Sequence, residues 1–384
     1  MAEEVLARAS EGAGRVLVTG GAGFIGSHLV EALLRRGERV RVLDDLSTGS
    51  LSNIAACHGD ERLEVEIGTA RDAATFRRVL DGCGTVFHLA ASVGVGMVTA
   101  EPAECLRNNV EGVQNLLAGL AGLPGRLTLP RVILFSSSEV YGKSERVPLR
   151  EDGDLVLGPS NVPRWSYASG KVTGEFLVLA EHRRTGLPAT VVRCFNTCGP
   201  RQQPTYGMVV PRLLGQALRG EPLTVFGDGR QSRCFSFVDD VVAAVLALAC
   251  RPETVGEVYN VGSDHETTVL ELASRVRRVT GSASPVHLVP YHEAYGDHFE
   301  DVRRRVPDLG KIRGVLGPLL LTDLDTLLRL TLSHLVATGA AAVSASSFAT
   351  AAAAPVTDPF SATANGTPVI PAVPAPFGAG RPAS

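Results

Sequence analysis

Near its N-terminus the chain reads VLVTGGAGFIG at residues 16–26, followed by SHLVEALLRR at residues 27–36. Val16-Leu17-Val18 is a short apolar run, typical of a buried strand. The next segment has helical spacing from Ser27 to Arg36, and Gly37 ends it. The stretch therefore predicts a strand, a glycine-rich turn and a helix, which is the opening unit of an α/β fold.

The pattern repeats along the chain and predicts a Rossmann-type, doubly wound parallel sheet. Further β-branched runs occur at residues 40–43, 85–89, 131–135 and 189–193, and a helix is predicted at residues 109–120. Strands that alternate with helices form a parallel sheet covered by helices on both faces. The fold class is α/β.

Domain boundaries follow from changes in composition. We predict an N-terminal extension at residues 1–14 and the Rossmann domain at residues 15–195, with residues 235–262 returning to it. A smaller α/β substrate-binding lobe is expected at residues 196–335, with helices at residues 206–219, 238–250 and 268–280. Residues 336–384 are rich in Ala and Pro and contain only Asp358 and Arg381 as charged residues, which predicts a disordered tail.

Composition favours a cytoplasmic protein without nucleic-acid or membrane partners. The net charge of −3 offers no strong field for polyanions. No uninterrupted apolar run reaches the ~18 residues of a membrane span. The seven cysteines include no CxxC pair, so we expect reduced thiols and no metal site.

The glycine turn predicts a bound dinucleotide. Gly20, Gly23 and Gly26 let the backbone approach a pyrophosphate at the helix N-terminus, although such a trio also occurs in tight turns without a ligand. Asp44 lies 24 residues after Gly20 at the end of the second strand, where a carboxylate holds the adenosine ribose hydroxyls. A carboxylate there disfavours a 2′-phosphate, so the cofactor is predicted to be NAD rather than NADP.

Tyr167 is the candidate catalytic base. Lys171 lies four residues later, one helical turn away, where its charge can lower the pKa of the phenol and its ammonium can hold the nicotinamide ribose. The alternative is a surface tyrosine–lysine pair. Because the glycine turn precedes it in the same chain, we favour the catalytic interpretation: oxidation of an alcohol carbon.

A serine-rich stretch with a glutamate follows the strand at residues 131–135. Ser137 is placed to bond the reacting oxygen of a substrate, Ser138 lies beside it, and Glu139 can move a proton at a neighbouring carbon. The alternatives are a turn that satisfies its own backbone and a solvated loop carboxylate.

These motifs together resemble the extended short-chain dehydrogenase/reductase superfamily, in its NAD-dependent sugar-nucleotide epimerase/dehydratase branch. The resemblance covers about residues 15–317. It rests on TGGAGFIGSHL at 19–29, HLAA at 88–91, NNVEG at 108–112, SSSEVYG at 136–142, YASGK at 167–171, RCFNTCGPRQ at 193–202 and YNVGS at 259–263.

The resemblance implies NAD as cofactor, a nucleotide-diphosphate sugar as substrate, and a homodimer formed through helices near residues 99–120 and 167–184. It implies the following cofactor-binding residues in addition to the glycine turn and Asp44: Phe24, Ile25, Leu89, Ala90, Ala91, Asn109, Ser136, Tyr167 and Lys171. It also implies that Asn196 and Val225 line the nucleotide and that Arg233 and Arg305 grip the diphosphate.

Within this branch the Ser138-Glu139 form is most similar to UDP-glucuronate decarboxylases (UDP-xylose synthases). Decarboxylases usually carry ASPASP where this chain has Ala90-Ala91-Ser92-Val93-Gly94-Val95, and the usual acid after the third strand is absent at Gly68-Thr69. A 4-epimerase that acts on a UDP-hexose or UDP-uronate, and a 4,6-dehydratase, share the first oxidation at C4 and remain alternatives. A dinucleotide-binding protein without catalysis is a further one.

Overall fold

The computed structural model describes residues 14–122, 129–204, 208–295 and 300–339. The predicted extension before Gly14 and the predicted tail beyond Gly339 lie outside the described residues. The helices are α1 Phe24–Arg35, α2 Ala73–Leu80, α3 Val95–Ala100, α4 Pro102–Ala121, α5 Trp165–Thr185, α6 Val209–Leu218, α7 Val238–Ala249, α8 Val269–Thr280, α9 Tyr291–Tyr295, α10 Gly310–Leu316 and α11 Leu324–Ala337. The strands are β1 Arg15–Thr19, β2 Val40–Asp44, β3 Leu63–Ile67, β4 Cys83–His88, β5 Arg131–Ser137, β6 Ala189–Cys194, β7 Thr197–Cys198, β8 Leu223–Phe226, β9 Ser232–Cys234, β10 Ser236–Phe237, β11 Val258–Val261, β12 Glu266–Thr268, β13 Val286–Val289 and β14 Arg304–Arg305.

The central sheet has seven parallel strands in the order β11-β6-β5-β4-β1-β2-β3. The chain builds outward from β1 in one direction to β3 and in the other to β11, so the order reverses between β1 and β4. Open sheets of this kind bind ligands at the carboxyl edge beside that reversal. The predicted Rossmann-type fold is confirmed.

Alternation along β1 explains how the sheet is covered on both faces. Val16 and Val18 belong to one buried cluster, together with Leu29 of α1 and Val242 of α7. Leu17, the residue between them, belongs to the other cluster, which contains residues of α2, α4 and α5. Successive side chains of a strand point to opposite faces, so a continuous apolar run serves two cores at once.

The second half of the chain contributes to both parts of the molecule. β11 pairs with β6 at the edge of the main sheet, although it follows β6 by more than sixty residues of sequence. The smaller part contains a β12-β9-β14 sheet and a β8-β13 pair. α6 and α8 pack against these strands, and α11 packs against α6 and α8.

Two helices begin earlier than the sequence predicts. α1 starts at Phe24 instead of Ser27, immediately after its N-cap Gly23, so Gly26 lies within the first turn of the helix. α4 starts at Pro102 instead of Asn109, because Pro occupies the first helical position, where its missing N–H costs no hydrogen bond.

Within the described ranges, no helix combines the length and apolar character that a membrane crossing requires.

Candidate active site

The predicted site residues meet at a cavity of about 490 Å³ at the carboxyl edge of the central sheet. Those that line it are Gly20, Gly23, Phe24, Ile25, Gly26, Asp44, Leu89, Ala90, Ala91, Ser136, Ser137, Ser138, Glu139, Tyr167, Lys171, Asn196, Arg233 and Arg305. They come from five strand ends, α1, α5 and the smaller lobe, so folding gathers residues that are far apart in sequence.

Two predicted residues lie elsewhere. Val225 is fully buried in the core, and the next residue, Phe226, lines the cavity instead. The period of two along β8 explains the difference, because neighbouring side chains face opposite ways. Asn109 is also buried, and Asn108 takes its place at the cavity.

Asn109 supports the loop that follows β4. Its side-chain oxygen accepts the Ser92 backbone N–H at 2.9 Å, and its Nδ2 donates to the Ser92 carbonyl at 3.3 Å. Ser92, Val93 and Gly94 line the cavity. The stretch that departs from the usual decarboxylase pattern is therefore part of the cavity wall.

The glycine turn has the geometry of a pyrophosphate cradle. Gly20 has φ +73°, a left-handed conformation that favours glycine, and a Cβ there would lie 3.0 Å from the Ala90 nitrogen. A Cβ on Gly26 would lie 2.0 Å from the Gly20 carbonyl oxygen. Gly23 caps α1 without a side-chain hydrogen bond, so the first N–H groups of α1 can face an anionic ligand. The turn fits a dinucleotide.

Asp44 ties the glycine turn to the end of β2. Its Oδ2 accepts the Ala22 N–H at 2.9 Å, and its Oδ1 accepts the Leu46 N–H at 2.9 Å. Burial raises the pKa of Asp44, and these two backbone N–H groups oppose the increase. The carboxylate is thus held at the cavity, where a ribose hydroxyl could donate to it.

Tyr167 and Ser137 face each other in the cavity. Burial raises the pKa of the Tyr167 phenol, a hydrogen bond with Ser137 lowers it, and the charge of Glu139 raises it further. We predict from the sequence that Lys171 lowers this pKa. Burial has the largest effect on the phenol, and the pKa of Tyr167 in the protein without cofactor lies above its ordinary value.

Lys171 is held beside the strand end. Its Nζ donates to the Phe135 carbonyl at 2.9 Å. Burial lowers the pKa of Lys171 to about 8, and the negative charge of Glu175 is among the effects that oppose that decrease. The ammonium is therefore fixed at the cavity rather than extended into solvent.

Glu139 forms an ion pair inside the cavity. Arg305 Nη1 donates to its Oε1 at 2.7 Å, and Arg164 Nη2 donates to its Oε2 at 3.4 Å. Burial by itself raises the pKa of Glu139, but the charges of Arg305 and Arg164 outweigh burial and bring it to about 2. Glu139 is therefore a carboxylate at neutral pH, and it lies in the cavity wall in an ion pair rather than on a solvated loop.

A second carboxylate organises the arginines on the lobe side. Arg233 Nη2 donates to Asp301 at 2.8 Å, and Arg164 lies 3.5 Å from the same carboxylate. The Tyr291 hydroxyl donates to the other Asp301 oxygen at 2.7 Å. Sequence reasoning did not identify Arg164 or Asp301. A signal was present for Arg164, which precedes Tyr167 by three residues at the start of the same helix.

Comparison with known proteins places the chain in a family. A profile described as the NAD dependent epimerase/dehydratase family matches residues 16–262. The UDP-N-acetyl-alpha-D-glucosaminuronate decarboxylase of Bacillus cytotoxicus is 38% identical over 300 residues, which cover 78% of this chain and 90% of that protein. The UDP-glucuronic acid decarboxylase 4 of Arabidopsis thaliana is 37% identical over 303 residues, 79% of this chain and 64% of the relative.

Solved structures are similar over most of the chain. UDP-glucose 4-epimerase of Thermotoga maritima, solved with UDP-glucose, has a TM-score of 0.74 at 31% identity, covering 84% of this chain and 99% of that one. UDP-glucuronic acid 4-epimerase of Bacillus cereus, solved with UDP-glucuronic acid and NAD, has a TM-score of 0.75 at 26% identity, with coverage of 84% and 99%. The chain thus belongs to the NAD dependent epimerase/dehydratase family.

Proposed function

We propose that the protein is an NAD-dependent nucleotide-sugar decarboxylase that converts UDP-glucuronate to UDP-xylose or its 4-keto form. The observation that carries the proposal is the position of the Glu139–Arg305 ion pair in the same cavity as Tyr167 and Ser137. The names of the related decarboxylases support it.

The chain's own residues fit the cofactor. The glycine turn would hold the pyrophosphate, Asp44 the adenosine ribose, and Lys171 the nicotinamide ribose. NAD⁺ would supply the hydride acceptor and a positive charge at the site, and a positive charge near Tyr167 would favour the phenolate over the neutral phenol.

Tyr167 and Ser137 would carry out the first step together. Ser137 holds the C4 oxygen, and Tyr167 takes the proton of the C4 hydroxyl as hydride leaves C4. The product is a ketone at C4, which is β to the C6 carboxylate. Carbon dioxide can then leave, because the electron pair that remains on C5 is delocalised into the ketone.

Glu139 and Arg305 would control the next proton. Because the pKa of Glu139 is about 2, its carboxylate orients a water that protonates C5, rather than donating the proton itself. Arg305, paired with Glu139 at 2.7 Å, limits the repulsion between that carboxylate and the anionic substrate. Arg233 would bind the diphosphate, since a guanidinium bonds phosphate oxygens in pairs.

Product mass spectrometry tests the reaction. The protein is loaded with NAD and incubated separately with UDP-glucuronate, UDP-N-acetylglucosaminuronate and UDP-glucose. The proposal expects loss of carbon dioxide from UDP-glucuronate. An unchanged mass with a new sugar configuration would show the 4-epimerase, loss of water from UDP-glucose would show the dehydratase, and either result would contradict decarboxylation if no carbon dioxide is lost.

We also propose a cytoplasmic homodimer formed through α4 and α5. These helices pack side by side, and Phe176 on α5 is 63% exposed while Leu106 on α4 is 37% exposed. Apolar side chains exposed on adjacent helices are typical of a subunit interface.

The seven cysteines are free thiols, which supports the cytoplasm, a reducing compartment, as the location of the protein.

A further inference from the structure

Glu175 is a buried carboxylate on the helix that carries Tyr167 and Lys171. It lies four residues after Lys171 and eight after Tyr167, so the three side chains follow one face of α5. Tyr167 and Lys171 line the cavity, whereas Glu175 lies below it and is 4% exposed. Any effect of Glu175 on the reaction must therefore pass through its neighbours.

Those neighbours are the ends of two adjacent strands. The Ser136 hydroxyl on β5 donates to Glu175 Oε1 at 2.5 Å. Arg193 on β6 donates from Nε to Oε1 at 3.0 Å and from Nη2 to Oε2 at 2.7 Å. Ser136 and Arg193 are partners in the β5–β6 register, so one carboxylate joins α5 to both strand ends.

Ser136 directly precedes Ser137, which faces Tyr167. We propose that Glu175 is a positioning residue: by holding Ser136 and Arg193 against α5, it sets the direction of Ser137 relative to Tyr167 and the charge around Lys171, without touching substrate. This inference rests on the proposed chemistry at Tyr167.

Arg193 also connects Glu175 to the smaller lobe through a chain of hydrogen bonds. Arg193 Nη1 donates to the Glu151 carbonyl at 3.2 Å, and the Asn260 N–H donates to the Glu151 carboxylate at 2.8 Å. Asn260 Nδ2 donates to the Asp308 carbonyl at 3.2 Å, three residues beyond Arg305. One network thus supports the segments that carry Ser137, Tyr167 and Arg305.

A buried ion pair by itself contributes little to the free energy of folding. Removing two charges from water is costly, and apolar side chains of similar volume often support a fold as well. An apolar pair cannot reproduce the directional hydrogen bonds that Glu175 accepts from Ser136 and Arg193. A positioning role therefore predicts that an apolar replacement folds but loses turnover.

The test is the double variant Glu175→Leu/Arg193→Met, which removes both charges together. In the NAD-loaded protein, we expect kcat for the consumption of UDP-glucuronate, measured by chromatography, to fall about 10- to 100-fold. KM should change by less than about threefold, because the substrate contacts remain. The melting temperature and the NAD dissociation constant, measured by calorimetry, should stay close to those of the parent.

Glu181→Gln is the matched control, since Glu181 is a carboxylate on α5 whose partner is Arg184 near the end of the helix. It should leave kcat unchanged. A folded double variant with unchanged kcat would overturn the positioning role, and so would a loss confined to NAD affinity. Oxidation at C4 is common to decarboxylase, epimerase and dehydratase, so this result does not depend on carbon dioxide release.

A second measurement needs no turnover. The chain has three lysines, Lys143, Lys171 and Lys311, so NMR of protein labelled at lysine Cε gives few signals, with Lys143 and Lys311 as references. Glu175→Gln should lower the pKa of Lys171 below its parent value of about 8, because the carboxylate opposes the effect of burial.

The other groups that face Lys171 are uncharged near that pH. Burial lowers the pKa of His88 on β4 to about 3, and burial raises the pKa of Cys105 on α4 and Cys194 on β6. An unmoved Lys171 titration in folded Glu175→Gln would overturn the proposal. If that variant does not fold, the kinetics of the double variant decide.

Discussion

Tyr167 is the residue on which the proposed oxidation depends. Its phenol is the only group in the scheme that removes the C4 proton, and Phe keeps the ring but not the oxygen. We expect Tyr167→Phe to lower kcat with UDP-glucuronate by about 10²- to 10⁴-fold, the range for loss of a general base. Steady-state kinetics measure the fall, and calorimetry should show NAD affinity close to that of the parent. Parent-like turnover in this variant would refute the chemistry, whichever sugar is the substrate.

Glu139 makes a prediction about pH. Burial raises its pKa, but the charges of Arg305 and Arg164 bring it to about 2, so the side chain is ionised throughout the range above about pH 3. Glu139→Gln should therefore lower kcat by about 10- to 100-fold at every pH measured. The fall of kcat toward acid pH should begin at the same pH as in the parent, because Glu139 does not titrate above pH 4. Kinetics from pH 4 to 9 measure both. An acid limb that disappears in the variant would show that Glu139 titrates in that range.

At the scale of elements, the glycine turn and α1 act as one unit. The turn brings the start of α1 within reach of the loop after β4, because neither Gly20 nor Gly26 has a Cβ to keep the backbones apart. Asp44 holds the same turn from β2. The dinucleotide site is therefore a property of three packed elements.

Gly26→Ala tests that unit. A Cβ at this position lies 2.0 Å from the Gly20 carbonyl oxygen, so the turn has to move. We expect NAD affinity to fall at least about tenfold, with a loss of about 1–3 kcal/mol in the free energy of unfolding, as for other overpacked sites. Isothermal calorimetry and denaturant titration measure the two effects.

Gly314→Ala is the control for that substitution. Gly314 lies in α10, and a Cβ there meets no atom within 4 Å. Alanine should leave NAD affinity unchanged and stabilise the helix by up to about 1 kcal/mol. Equal losses of affinity in both variants would mean that the Gly20–Gly26 contact has no special role.

At the scale of the whole molecule, the proposed dimer predicts the effect of a surface charge. Phe176→Glu places a carboxylate at a side chain that is 63% exposed on α5. If α4 and α5 form the interface, burying that charge without a partner is costly, and light scattering after size exclusion should show a monomer. Leu330→Glu on α11, where the side chain is 43% exposed, is the control and should leave the mass unchanged. A dimer that survives Phe176→Glu would place the interface elsewhere.

Much of the site could be predicted from sequence because its motifs are local. The glycine turn, the Tyr167–Lys171 spacing and the Ser137–Glu139 stretch each lie within a few residues of a strand end or on one helix, where periodicity fixes relative position. Val225 and Asn109 do not line the cavity although their neighbours Phe226 and Asn108 do, because one residue of offset reverses the side-chain direction in a strand and rotates it on a helix. Arg164 and Asp301 were not predicted, since they are joined only across the cavity.

The sequence by itself determined the order of strands and helices, the dinucleotide turn and the local motifs that carry the proposed reacting groups, since these depend on neighbours in the chain. Only the tertiary structure decided the state of those groups. Burial raises the pKa of Tyr167 and lowers that of Lys171, and Arg305 keeps Glu139 ionised from more than 160 residues away. Desolvation and Coulomb interactions act through space, so they are set by which segments pack together.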